Sequence, residues 1–444
     1  MNPIIKDNYF CDVESHIFNN KIYLYGSHDA RNSDRYCPLD YICYSANLND
    51  LSNWHYEGVI YRKDQDPLNH DNKHDLYAPD VVCGNDGKYY LYYGLSNIDM
   101  ISIARSDKPN GPFEYYGTIR YPNNIDFKTL DIRPYHFDPS VINDNGKIIL
   151  SLGFSVDANI PAMDINEHND HGLFIVELED DMQTMKTLPK LVIPGYKYGK
   201  NTSFEDHEFL EAASLRKYND TYYLLYSSKH QHELCYATSK YFDHGYEYQG
   251  ILISNASKTS DDDIYKNNYA NNHGSLLQIN DDYYIFYHRH TYAKQYSRQV
   301  CMEKIKMIDG HFITQEITSS SLYPLSQGCY DASIACELYD NNSGIYIDFF
   351  ENGIDRALRC DDKITNITNT TIVYRYFQNI HELILDFDKT NCHLMIYQDD
   401  HLIFDKQVQN KTANISLLAV NKPFSITIII EHADKITLNK IITK

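Results

Sequence analysis

Five times along the N-terminal two thirds of the chain, a polar Asn/Asp/Gly pair is followed by an apolar and aromatic run too short for a helix. The runs are Lys21-Ile-Tyr-Leu-Tyr25, Lys88-Tyr-Tyr-Leu-Tyr92, Lys147-Ile-Ile-Leu-Ser151, Thr221-Tyr-Tyr-Leu-Leu225 and Asp282-Tyr-Tyr-Ile-Phe286. The pairs before them are Asn19-Asn20, Asp86-Gly87, Asn145-Gly146, Asn219-Asp220 and Asn280-Asp281. Such pairs between β-rich runs are strong hairpin signals. Successive runs begin 67, 59, 74 and 61 residues apart, room for one four-stranded antiparallel sheet and its loops. Radial repetition of such sheets is a β-propeller, so the pattern predicts five blades over residues 1–320. Ser321-Leu-Tyr-Pro-Leu-Ser-Gln-Gly328 reads as a linker. Residues 329–444 then carry short alternating runs, Gly344 to Phe349, Thr371 to Tyr376, Glu382 to Asp386, His393 to Tyr397 and Ser425 to Ile430, which predict a β-sandwich. The expected class is all-β, a five-bladed β-propeller followed by a β-sandwich.

Upstream of each hairpin turn sits an ionisable residue at nearly constant offset. Asp12, Asp80, Asp138, Glu211 and His273 lie 9, 8, 9, 10 and 9 positions before the five runs. The innermost strand of a propeller blade lines the central channel, so equivalent inner positions are expected to converge there. Clustered carboxylates raise one another's pKa and are costly to a fold, which points to chemistry. Hydrolysis of a glycosidic bond needs two carboxyl groups: one protonates the leaving oxygen, the other activates water or attacks directly. A third can tune the acid. Glu211, flanked by Leu210, Ala212 and Ala213, has the low-polarity setting that suits a proton donor. Asp12 would then activate water, and Asp138, stiffened by Pro139, would tune Glu211.

Composition narrows the partners. A net charge of −21 argues against nucleic acid or an anionic membrane surface. The 41 tyrosines are explained mainly by sheet packing, with sugar stacking as the sharper alternative. The ten cysteines contain no CxxC pair, so free thiols are expected rather than a zinc site or a disulfide framework. His70 and His74 sit in a polar loop whose spacing matches no strong metal motif. The N-terminus lacks a signal-peptide pattern and no apolar stretch is long enough to span a bilayer. A cytoplasmic location is the expectation, or a secreted one if a leader was trimmed.

At this point the residues carry a family resemblance. Asn2-Pro3-Ile4-Ile5 with Asp12, Ala78-Pro79-Asp80-Val81, Phe137-Asp138-Pro139-Ser140, Glu211-Ala212-Ala213-Ser214 and Asn272-His273-Gly274-Ser275 together resemble glycoside hydrolase family 43. The resemblance covers about 320 residues. It implies inverting chemistry with Asp12 as general base, Asp138 as pKa modulator and Glu211 as general acid. It also implies that Tyr77 and Ala78 wall the −1 sugar site and that His273 and Arg298 contact substrate. In many relatives the axial histidine sits by a bound calcium or its waters, which makes His273 the candidate metal-side residue. No cofactor is required by the resemblance beyond such a structural Ca2+. Two departures stand out: the base sits in Cys11-Asp12-Val13 where Ala-Asp-Pro is common, and Tyr77 stands where Trp is common. Asp80 receives no direct catalytic role. The C-terminal sandwich faintly resembles the jelly-roll carbohydrate-binding module often appended to this family.

The expected function is therefore an exo-acting glycoside hydrolase that releases terminal α-L-arabinofuranosyl or β-D-xylosyl units from plant-type oligosaccharides. Two alternatives stay open. One is a retaining hydrolase of the related invertase and fructanase propellers, against which Cys-Asp-Val, Phe-Asp-Pro and Glu-Ala stand at the three acid positions. The other is a sugar-binding propeller without catalysis.

Overall fold

The computed structural model describes residues 1–157, 163–259, 264–268, 270–291, 295–341 and 357–444. The expected strand over Gly344 to Phe349 lies outside the described residues. All five predicted runs are strands: Lys21–Asp29, Tyr89–Gly94, Lys147–Phe154, Thr221–Ser228 and Asp282–His290. Each is the second strand of its own antiparallel sheet. The turns before them use residues that tolerate φ > 0, such as Asn19 and Asn20 (50° and 60°) and Asn145 and Gly146 (51° and 93°).

Four of these sheets have four strands in chain order, and the fifth has three among the described residues, Leu276–Ile279, Asp282–His290 and Arg298–Ile305. Each packs on the next through an apolar cluster. Tyr25 and Tyr41 of the first sheet meet Leu91 and Tyr93 of the second. Tyr92 and Ile103 of the second meet Leu150 and Val176 of the third. Ile149 and Leu173 meet Leu224 and Tyr226 of the fourth, whose Leu225 and Tyr236 meet Ile285 and Tyr287 of the fifth. Phe286 and Val300 of the fifth then reach Leu24 and Ile42 of the first. The sheets thus follow one another around a closed ring. Successive residues such as Leu91 and Tyr92 serve opposite neighbours, because side chains alternate across a strand. Both faces are covered, which is why these strands read as unbroken apolar runs.

The N-terminal residues lie along the edge of the fifth sheet. The Ile4 amide donates to Val300 O (3.0 Å), the Met302 amide to Asn2 Oδ1 (3.0 Å), and Asn2 Nδ2 to Glu303 Oε1 (2.7 Å).

The C-terminal strands form two sheets. One runs in the order Leu358–Cys360, Lys363–Ile367, Ile436–Thr443, Glu382–Phe387, Thr412–Ser416, with Gly328–Asp331 also paired to Ile436–Thr443. The other runs Glu337–Asp340, Thr370–Phe377, Phe424–Glu431, Cys392–Gln398, His401–Val408. One apolar cluster takes Ile372, Leu394 and Ile428 from the second and Leu385, Leu438 and Ile441 from the first. Cys392–Gln398 and Phe424–Glu431 alternate buried and half-buried positions, the period-2 signature of strands with one covered face. The 321–328 segment is fastened on both sides: Ser321 Oγ donates to Met302 O (2.7 Å) and the Leu325 amide to Tyr376 O (2.8 Å). Polar contacts continue from there, with Arg289 donating to Ala335 O (2.8 Å) and Arg375 to Glu337 (2.6 Å).

Candidate active site

Asp12 and Glu211 sit where their inner strands break register. Tyr9–Phe18 shifts against Lys21–Asp29 between Cys11 and Glu14, and Phe209–Tyr218 shifts on both sides of Glu211. Such bulges re-aim a side chain out of the strand alternation. Asp138 immediately precedes the inner strand region of the third sheet, Ser140–Asp144. Asp12, Asp138 and Ala212 have φ of 51°, 44° and 66°. Each such non-glycine residue costs about 1–3 kcal/mol, and this strain is typical of functional sites. One hydrogen bond links two of these positions, from the Ala212 amide to Asp138 Oδ2 (2.8 Å). After His273 the chain runs so close to its neighbour that a Cβ on Gly274 would lie 1.8 Å from Phe286 O, so only glycine fits.

These residues meet in one cavity of about 340 Å³, at the small end of ligand sites. Asp12, Tyr77, Ala78, Asp138, Glu211, His273 and Arg298, all singled out from the sequence, line it together. Tyr77 packs edge-on against Phe137 (5.5 Å between centroids), and Leu210, Phe154 and Met163 complete an apolar side. Tyr36, Cys37 and Gln231 also line the cavity and carried no assigned role. Tyr36 and Cys37 fall between the strands Lys21–Asp29 and Tyr41–Asn47, outside the repeated runs, so no repeat offset marks them.

Asp80 does not join this cavity, which corrects the expectation that all five axial groups share one place. Its Oδ1 lies 2.5 Å from His16 Nε2, while Oδ2 accepts from Ser140 Oγ (3.0 Å) and the Val141 amide (2.8 Å). It ties the first three sheets together. The shorter offset of Asp80, 8 rather than 9 or 10, is the available hint of its different position.

The three cavity carboxyls have different charge environments. Burial alone would raise the Asp12 pKa, but the Arg298 guanidinium, with help from His288 and His273, holds it well below the usual carboxylate range. Arg298 Nη1 donates to Asp12 Oδ1 at 2.7 Å. The same guanidinium grips Asp29 through Nε (2.8 Å) and Nη2 (3.0 Å) and lies under the Tyr36 ring. Arg298 is 1% exposed, so its first duty is to hold Asp12 ionised and in place. Glu211 is pushed up to about 8 by burial and by the charges of Asp138 and Asp12. Asp138 is raised by burial and by Asp12, with His273 opposing. His273 is raised to about 9: burial works against its charge, and Glu14, Asp138 and Asp12 outweigh burial. Its Nδ1 lies 3.7 Å from Asp138 Oδ2 and its Nε2 3.8 Å from Glu14 Oε1. The cavity therefore holds Asp12 toward its ionised form and Glu211 toward its protonated form.

Glu14 and Arg216 were not anticipated. Arg216 pairs with Glu14 Oε2, which also accepts from Ser214 Oγ (3.0 Å). Glu14 lies two positions past Asp12 across the bulge of the same strand, so neither strand alternation nor the repeat offset carried a signal for it.

The neighbourhood of His273 bears on the expected calcium. Calcium takes six to eight oxygen ligands. Here the buried carboxylate oxygen beside His273 is Glu14 Oε1, which accepts no hydrogen bond and lies 3.8 Å from Nε2, and Arg216 already places a cation on the other oxygen. This donor set does not make a protein-built calcium cage. His74 Nδ1 is bonded to Ser96 O (2.6 Å), and neither it nor His70 belongs to a metal-competent cluster among the described residues.

Two carboxyl groups in one small cavity, one paired with a guanidinium and the other held toward its protonated form, supply the base and the acid that hydrolysis of a glycosidic bond requires. The sequence profile of Glycosyl hydrolases family 43 matches residues 2–312, and the chain belongs to this family. It is 43% identical over 358 residues to a xylosidase/arabinosidase of Thermoclostridium stercorarium, covering 78% of this chain and 74% of that protein. A xylosidase/arabinosidase of Bacteroides ovatus is 27% identical over 64% of this chain and 87% of its own length. Among solved structures, a family 43 enzyme of Xanthomonas citri complexed with xylose matches 70% of this chain and 92% of its own (TM-score 0.56, 22% identity). An arabinoxylan arabinofuranohydrolase of Bacillus subtilis, solved with cellotetraose, matches 100% of this chain and 97% of its own (TM-score 0.54, 16% identity). The structural likenesses speak to the fold.

Proposed function

We propose that the chain is an inverting, exo-acting hydrolase that releases terminal pentose units, α-L-arabinofuranosyl or β-D-xylosyl, from plant-type oligosaccharides. The observation that carries this reading is the convergence of Asp12, Asp138 and Glu211 on one cavity in which Arg298 Nη1 donates to Asp12 Oδ1 at 2.7 Å. Glu211 gives its proton to the leaving glycosidic oxygen as the bond to the anomeric carbon breaks. Asp12 takes a proton from the water that attacks the opposite face. Asp138 keeps the Glu211 pKa high by its charge and fixes the Ala212 amide beside it. Tyr77 and Ala78 form the wall against which the sugar ring lies. His273 and Arg298 serve the substrate chiefly through the carboxylates that they orient. The two relatives named as xylosidase/arabinosidase support a pentose.

The reaction is read with a panel of nitrophenyl pentosides and hexosides, following the released anomer by NMR. Pentosides are expected to turn over, with the first-formed sugar inverted. Release with retained configuration, or turnover of hexosides alone, would overturn the reading. All ten cysteines are unpaired, which favours a reducing, cytoplasmic setting as part of the proposal.

A further inference from the structure

The fourth sheet carries a second cluster of ligating side chains outside the carboxylate set. Glu233 opens the strand Glu233–Ser239, and its buried carboxylate accepts from Ser228 Oγ (2.7 Å). His207, in the segment leading into Phe209–Tyr218, places Nδ1 2.9 Å from the same oxygen, Glu233 Oε2. His230, in the turn between Thr221–Ser228 and Glu233–Ser239, is exposed, and its ring stands 5.9 Å from that of His207. One ligand atom from each of the three lies within 4.8 Å of the others.

We infer that His207, His230 and Glu233 form a binding site for a divalent transition cation of borderline softness, with zinc the best match. Two imidazoles and one carboxylate are a common zinc donor set, leaving the fourth tetrahedral position to water. Ligand bonds of about 2.0–2.2 Å at tetrahedral angles separate ligand atoms by roughly 3.3 Å. The His207–Glu233 spacing of 2.9 Å is somewhat shorter than one such edge, and a ligand atom of the exposed His230 ring lies within 4.8 Å of the other two. Neighbours hold His207 in place, since its ring stacks on Tyr248 (4.7 Å, 8°) and its carbonyl accepts from Tyr226 Oη (2.8 Å). The nearby cation Lys229 is engaged by Glu208 (2.9 Å) and Asp206 (3.3 Å) and does not occupy the site.

The placement gives the ion a role. The turn that carries His230 also carries Gln231, which has φ of 64° and lines the catalytic cavity. A cation bridging His207 and His230 fastens this turn to the preceding segment and so fixes the rim at Gln231.

The test uses untagged full-length protein stripped with a chelator. Zn2+ is titrated by calorimetry and Co2+ by its visible ligand-field bands. One equivalent of each is expected to bind, without the sulfur-to-cobalt charge-transfer absorption that a cysteine ligand would give. His230→Ala, at an exposed turn position, and His207→Ala are each expected to weaken binding at least about tenfold. Circular dichroism checks that both variants are folded. Absence of saturable binding, binding that both variants leave unchanged, or a thiolate signature would each overturn the assignment.

Discussion

The hub of the ring of sheets and the interior of the C-terminal pair of sheets are both framed by antiparallel strands, yet they differ in the side chains that they gather. One large cluster of mostly Ile, Leu, Phe and Ala fills the space between the two C-terminal sheets, and strands such as Cys392–Gln398 show one covered face. The hub of the ring buries Asp12, Glu14, Asp80, Asp138, Arg216, His273 and Arg298, each less than one tenth exposed. The apolar clusters of the ring sit between neighbouring sheets, leaving its axis to charges. A buried ionic group contributes little net stability and costs much if its partner is removed. The hub is therefore a region where stability has been given up for reactivity, and the C-terminal core one dominated by apolar packing.

Substitutions separate the two regions. Glu211→Gln removes the proton donor and is expected to lower kcat on natural glycosides by about 10²- to 10⁴-fold. The same change should not destabilise the fold above neutral pH. The Glu211 pKa rises from 4.5 to about 8 on folding, so the folded state binds the extra proton. Its stability contribution is present at low pH and lost as pH climbs toward 8. Thermal melts at pH 8.5 should find the variant at least as stable as the parent; a lower Tm would show that the buried carboxyl is not strained there. Ile428→Ala, in the C-terminal core, is expected to do the reverse. Ile428 is fully buried, and its truncation should cost about 2–5 kcal/mol in denaturant unfolding. kcat at a temperature where the variant is folded should stay within about twofold, well short of the factor of ten that about 1.4 kcal/mol on the barrier would give. A large loss of kcat in the folded variant would break the division.

The smallest effect sharpens the picture within the hub. In the parent, kcat/KM should fall on the alkaline side near pH 8, where Glu211 loses its proton. Asp138→Asn removes a neighbouring negative charge that raises the Glu211 pKa. The alkaline limb should then move to lower pH, alongside a fall in kcat. An unmoved or alkaline-shifted limb would contradict the tuning role of Asp138.

Much of this was legible in the sequence because it depends on period and punctuation. Turn pairs such as Asn145-Gly146 admit φ > 0, and strands such as Tyr89–Gly94 are apolar throughout because both faces are covered. A repeat of turns and strands also carries the offset that picked out Asp12, Asp138, Glu211 and His273. What that offset cannot carry is which way a bulged or pre-strand residue points. Asp80 shares the offset but binds His16 and Ser140 outside the cavity, since its sheet places it at the start of a regular strand with no register shift. Arg298 reaches Asp12 and Asp29 across more than 260 positions of sequence, and Arg216 reaches Glu14 across about 200. No local pattern encodes such partners. Local chemistry determined where the strands and acids fall along the chain; only closure of the ring decided which acids face one another and which counter-charge each receives, because electrostatic energy depends on distance in space and burial, and neither is a property of sequence separation.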